Sequence, residues 1–122
     1  MTPRVRVRIV LAPGVAIGPG KADLLAAIDE FGSLAAAGRS MQMSYQRAWS
    51  LIDELNAMFA APLVSLSRGG AQRGGAALTP AGKAVLAHYR AIEATTAAAC
   101  ETELTALAGM RKQQESDIST HR

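Results

Sequence analysis

Residues 43–59, MSYQRAWSLIDELNAMF, restrict the fold of this chain more than any other stretch. Ala48, Leu51, Ile52, Leu55, Met58 and Phe59 recur at the three-and-four spacing that lines one face of a helix. An amphipathic helix must bury that face, so the segment needs partners packed behind it. Ser44 is placed to cap the first turn, its hydroxyl accepting from a backbone N–H that has no intrahelical partner. Tyr45, Gln46 and Arg47 then form the leading turn, and each carries groups that hydrogen-bond to base edges or phosphates. A polar, basic leading turn on an apolar-flanked helix suits a helix that enters the major groove of DNA. The same pattern also describes an ordinary surface helix, so its neighbours decide between the two.

The preceding residues supply those neighbours. Gly18-Pro19-Gly20 introduces a helix over Lys21–Phe31, with Leu24, Leu25, Ile28 and Phe31 on one face and Pro19 suited to its first turn. Gly32 stops it, because glycine adopts the left-handed conformation without strain. Ser33 caps a short helix, Leu34–Ser40, whose Ala35, Ala36, Ala37 and Gly38 let another helix approach closely. Met41–Met43 is the turn. Short helix, tight turn and longer helix with a polar leading turn make a helix-turn-helix. Trp49 is expected in the core or in the helix–helix contact.

Beyond Pro62, Leu63–Ser67 alternates as a strand and Ala76–Leu78 returns as a second one. Between them lies RGGAQRGG, Arg68–Gly75, basic and glycine-rich. Two short strands and such a loop, directly after a helix-turn-helix, form a wing whose arginines suit a minor groove or phosphates. The loop lacks the Gly-Lys-Ser/Thr ending of a nucleotide-phosphate loop. Thr79 as N-cap and Pro80 at the first helical position start a last helix, expected as one piece from Ala81 to about Leu107 with Gly109 as its stop. At 1.5 Å per residue it spans about 40 Å, so its far half needs a partner, most economically a second copy. Val85, Tyr89, Ile92, Thr96, Ala99, Leu104 and Leu107 form its stripe.

At the other end, Arg4–Leu11, RVRVRIVL, alternates as a strand. Pro13-Gly14 turns it, and Val15–Ile17 returns, giving a hairpin whose arginine-rich face suits either contact with DNA phosphate or a protected edge, the edge being the favoured reading. With 122 residues, 49% hydrophobic and 4% aromatic, the chain is expected to be one domain, mainly α with small β (α+β). The net charge of +3 is modest, but Arg4, Arg6 and Arg8 cluster, and Arg68 and Arg73 have no acidic neighbour in sequence. The single cysteine, Cys100, forms no intrachain disulfide and fits a reducing compartment. Pro13-Gly14 interrupts Ile9–Gly18, which argues against a cleaved signal, and no apolar run is long enough for a membrane span.

Residues 20–108 resemble the N-terminal DNA-binding domain of the molybdate-responsive (ModE-type) transcriptional regulators, which share a winged helix-turn-helix with the LysR-type class. The match is carried by Gly32-Ser33-Leu34, Met43-Ser44-Tyr45 with Arg47-Ala48-Trp49, and Ile52-Asp53-Glu54-Leu55-Asn56. It continues through Pro62-Leu63-Val64, the wing glycines Gly69-Gly70 and Gly74-Gly75, and Leu78-Thr79-Pro80-Ala81-Gly82. The resemblance implies a homodimer joined through terminal helices and binding an inverted-repeat operator in double-stranded DNA. It carries Ser44, Tyr45, Gln46, Arg47 and Ser50 over as groove contacts, and Arg68 and Arg73 as wing contacts. Full-length members also have C-terminal oxyanion-binding domains; residues 1–122 hold no counterpart, so DNA binding is expected here without molybdate sensing, any regulatory input coming from an unidentified effector or partner protein.

The expected organisation is a winged helix-turn-helix over 1–79, a dimerisation helix over 80–109 and a disordered tail over 110–122. The expected function is cytoplasmic, cofactor-free transcriptional regulation. The competing readings are a winged helix kept as a protein-interaction module and a small oxyanion binder. An enzyme is disfavoured: neither His88 nor His121 has a Cys or His partner at metal-ligand spacing, and Asp53 and Glu54 point in different directions on a helix.

Overall fold

The structure, a computed structural model, describes residues 3–67 and 75–112. A hairpin of β1 (Ile9–Ala12) and β2 (Val15–Ile17) leads into α1 (Pro19–Phe31), α2 (Leu34–Ser40) and α3 (Tyr45–Met58). The wing strands β3 (Val64–Leu66) and β4 (Ala76–Leu78) follow, then α4 (Pro80–Ala99) and α5 (Glu101–Met110). This is the expected α+β winged helix-turn-helix with an N-terminal hairpin.

The helix boundaries fall where local chemistry places them. Pro19 opens α1, and Gly32 closes it at φ 68°, its N–H bonding to the Ile28 carbonyl. Ser33 Oγ accepts from Ala36 N at 3.2 Å, and Ser44 Oγ from Arg47 N at 3.0 Å. Each cap satisfies one otherwise unpartnered donor and contributes about 1 kcal/mol. Between α2 and α3, the N–H groups of Met41 and Met43 both return to the Gly38 carbonyl, at 3.1 and 3.0 Å. Gln42 closes that turn at φ 58°, a left-handed conformation unusual for a residue with a side chain. Gly38 is buried there, and a Cβ on it would stand 3.4 Å from both Ala48 Cβ and the Met43 carbonyl oxygen. The expectation that small residues let α2 approach α3 holds at this point.

Leu24, Leu25 and Ile28 from α1, Leu34 and Ala37 from α2, and Ala48, Ile52 and Leu55 from α3 make one core. Leu63, Val64, Ala76 and Leu78 close it from the wing side. Full burial of each large aliphatic side chain favours folding by roughly 1.5–3 kcal/mol. The antiparallel wing pairs Val64 with Leu78, Ser65 with Ala77 and Leu66 with Ala76. Its root is tied to the α1–α2 junction, where Ala76 N donates to the Gly32 carbonyl at 3.0 Å.

Three elements differ from expectation. Residues 4–8 precede β1 instead of forming its first half, because β2 has only three residues to pair with and the register reaches no further than Ile9 opposite Ile17. The arm is held otherwise: the buried Tyr89 hydroxyl donates to the Val7 carbonyl at 2.5 Å. That burial, and secondarily the charge of Glu93, raises the tyrosine above its ordinary pKa. Second, β3 is shorter than Leu63–Ser67: Leu63 lies just outside it, its N–H given to a side chain of α3. Third, the single helix expected over 80–109 is two segments. Cys100 joins them at φ −104°, ψ 14°, with Cys100 N bonding to the Thr96 carbonyl and Leu104 N to the Cys100 carbonyl. Glu101 and Glu103 then sit in the first turn of α5, where acidic side chains favour a new helix start. Gly109 does not stop the helix, which runs to Met110. Most of the tail expected to be disordered lies outside the described residues.

Candidate nucleic-acid interface

The inner side of α3 is fixed by Ala48, Leu51, Ile52 and Leu55, all buried. The helical repeat then distributes the remaining positions. Gln46, Ser50 and Asp53 form the outermost row, directly opposite the core. Tyr45, Trp49 and Asn56 occupy one flank, and Arg47 and Glu54 the other. Ser44, Tyr45, Gln46, Arg47 and Ser50 are all exposed, so the structure brings the five sequence-identified groove residues together on the open side of one helix. They do not share one row: Gln46 and Ser50 lead, while Tyr45 and Arg47 stand to either side. The acceptor of Ser44 is engaged by its capping bond. Arg68 and Arg73 lie outside the described residues.

Trp49 corrects the expectation of a core residue. It is 39% exposed, one turn beyond Tyr45, itself 54% exposed, so the two aromatics form an apolar strip beside the polar row. Periodicity alone held the signal, since Trp49 falls about 100° from buried Ala48.

The opposite end of α3 is anchored. Asn56 Oδ1 accepts from Leu63 N at 2.8 Å and Val64 N at 3.2 Å, and Asn56 Nδ2 donates to the Val64 carbonyl at 3.2 Å. One side chain thus splices the helix to the wing. The wing is fastened in turn to α4. Thr79 N donates to the Leu63 carbonyl at 2.9 Å, and Thr79 Oγ1 donates to the Pro62 carbonyl at 2.6 Å while accepting from Gly82 N at 3.0 Å. Gly82 is buried against Leu63, whose carbonyl oxygen occupies the place a Cβ would need. The Leu78-Thr79-Pro80-Ala81-Gly82 motif is therefore a strand end, an N-cap, a first-turn proline and a close-contact glycine in succession.

On the far side, Arg90 pairs with Asp23 and Glu93, both at 2.9 Å, and Arg6 approaches Asp23 at 3.9 Å. These hydrogen bonds, to Asp23 first and Glu93 second, raise the Arg90 pKa further. The pairs are open to solvent and add orientation between α1 and α4 more than stability.

Residues 21–83 match the family described as bacterial regulatory helix-turn-helix protein, lysR family. The chain belongs to that family. Relatives of this lysR-family chain carry the molybdenum theme of the motif resemblance. It is 45% identical over 84 residues to the molybdenum-pterin-binding protein MopB of Rhodobacter capsulatus, covering 69% of this chain and 31% of that protein. It is 40% identical over 80 residues to the molybdenum transport protein ModE of Azotobacter vinelandii, covering 66% of this chain and 30% of that protein. The transcriptional regulator ModE of Haemophilus influenzae is 31% identical over 91 residues, covering 75% of this chain and 36% of that protein. The chain thus spans about a third of the length of the curated relatives it matches. Among solved structures, the CbnR DNA-binding domain in complex with DNA superposes with a TM-score of 0.58 at 24% identity, over 72% of this chain and 95% of that one. The LysR-family regulator VV2_1132 gives 0.54 at 16% identity, over 76% of this chain and 30% of that one. The solved structures support the fold.

Proposed function

We propose that this chain binds double-stranded DNA as a homodimer and regulates transcription, with α3 in the major groove. The observation that carries the reading is the built asymmetry of α3: a capped, exposed leading turn of hydrogen-bonding side chains, braced from behind by the core and by Asn56. Family membership and one relative named as a transcriptional regulator support it, as does a fold neighbour solved on DNA. Gln46 and Ser50, on the outermost row, face base edges, and Gln46 suits adenine. Arg47, on one flank, pairs with guanine or a phosphate, and Tyr45, on the opposite flank, offers its hydroxyl to the other edge of the groove. Arg68 and Arg73 of the glycine-rich wing contact the flanking backbone or minor groove.

The dimer uses α4 and α5. Ile92 is 41% exposed, Leu107 64% and Met110 81%, and these apolar groups lie along helices that outrun the domain. A second copy covers them, and its symmetry calls for an inverted-repeat operator. Among the described residues no helix is long and apolar enough to cross a membrane. The reading places the protein in the cytoplasm with the DNA and involves no cofactor.

Titration of a labelled operator duplex with wild type and Arg47→Ala tests the assignment. The variant is expected to lose about 1–3 kcal/mol of binding. Unchanged affinity removes Arg47 from the interface. Wild type without any salt-dependent affinity for duplex DNA would favour a protein-interaction module instead.

A further inference from the structure

An open cleft of about 500 Å³ separates the N-terminal hairpin and the start of α1 from the Arg47 flank of α3. Three cations from three elements line it: Arg8 ahead of β1, Lys21 in the first turn of α1, and Arg47 in the first turn of α3. Glu54, farther along α3, is the one carboxylate in the lining. Gly14, Gly18 and Gly20 also line the cleft. The stem of Arg8 crosses it, its Cγ 3.8 Å from where a Cβ on Gly18 would stand. Arg6 behaves differently, lying toward Asp23 and Arg90 on the α4 side. Among the described residues, Arg8, Lys21 and Arg47 form no ion pair.

Three cations in no ion pair among the described residues, against a single carboxylate, around an open cleft suit a phosphate-bearing ligand. Arg8 and Arg47 are exposed and Lys21 is half-buried, so the cations stay open to a large, solvated partner. Arg47 belongs both to the cleft and to the leading turn of α3, which makes the cleft continuous with the groove-facing surface. We infer that the cleft seats a sugar–phosphate strand bordering the major groove that α3 enters, with Arg8 and Lys21 pairing with its phosphates. The inference rests on the DNA reading above. For Arg8, just ahead of the hairpin, it takes phosphate contact over the protected edge and adds Lys21 and the cleft between them, and the contact is independent of base sequence.

The test uses the full chain, a labelled duplex carrying its selected operator and a shuffled duplex of equal composition. The double variant Arg8→Gln, Lys21→Gln is expected to weaken binding to both duplexes by the same factor. The loss of affinity between about 50 and 200 mM salt should shrink about threefold for each cation removed. Arg8→Lys should restore most of the salt dependence, and Arg6→Gln should leave it unchanged. A double variant with wild-type salt dependence, alongside a Gln46→Ala variant that still loses operator preference, would overturn the cleft and leave the DNA reading standing. Wild type with no salt-dependent binding to either duplex would overturn both. Unchanged salt dependence together with saturable binding of inorganic phosphate, abolished in the double variant, would transfer the cleft to a free anion.

Discussion

The two ends of α3 are held in opposite ways. At its C-terminal end, Asn56 makes three hydrogen bonds to Leu63 and Val64, and the chain beyond is locked to α4 through Thr79 and Gly82. At its N-terminal end, the side chains of Tyr45, Gln46 and Arg47 make no hydrogen bond or ion pair among the described residues; only the Ser44 cap is engaged. A surface that must pair with a partner keeps its donors and acceptors unspent. On the proposed DNA reading, such a surface is useful only when the helix carrying it cannot shift, and the fixed end supplies that constraint.

The sharpest way to break this contrast is at the fixed end. Gly82→Ala forces a Cβ onto the Leu63 carbonyl. Urea unfolding should show a loss of about 3 kcal/mol, since backbone stands on the opposing side and overpacking there has little room to relax. Asn56→Ala removes both the acceptor and the donor of the splice and leaves the N–H groups of Leu63 and Val64 without that acceptor. It should cost about 2 kcal/mol, whereas Asn56→Asp, which keeps the acceptor, should cost less. A null result for either would mean that the wing and α3 are not coupled in this way. Ser44→Ala, at the free end, should remove about 1 kcal/mol by loss of the cap. Gln46→Ala and Ser50→Ala should change stability by less than about 0.5 kcal/mol, as exposed positions usually do. These two should nevertheless lower preference for the selected operator over a shuffled duplex, measured by competition. A stability loss equal to that of Asn56→Ala would show that the two ends are not differentiated.

Much of this was legible in the sequence because it depends on local chemistry. Ser33, Ser44 and Thr79-Pro80 start helices through bonds to residues three positions away, and Gly32 ends one through its own backbone freedom. The buried row of α3 followed from periodicity, and so did the two wing strands. What escaped depends on contacts between distant segments or on weak local signals. Cys100 divides the last helix with neither glycine nor proline to mark it. Gln42 adopts a left-handed turn conformation for which its residue type gives no warning. The RVRVRIVL alternation overstated β1, since a strand extends only as far as its partner. Trp49, expected in the core or in the helix–helix contact, sits at a helical angle that takes it out of the core. Arg8, Lys21 and Arg47 converge only once the hairpin folds back beside α3, and no spacing rule within one element joins them.

The most direct test of the central claim is selection of bound duplexes from a random-sequence pool by the purified chain at near-physiological salt. Enrichment of an inverted repeat, with half-sites one helical turn or a multiple apart, is the expected result. Loss of that enrichment in Gln46→Ala would tie it to the outer row of α3. No enrichment over the starting pool by the wild-type chain would contradict the claim that this helix reads DNA.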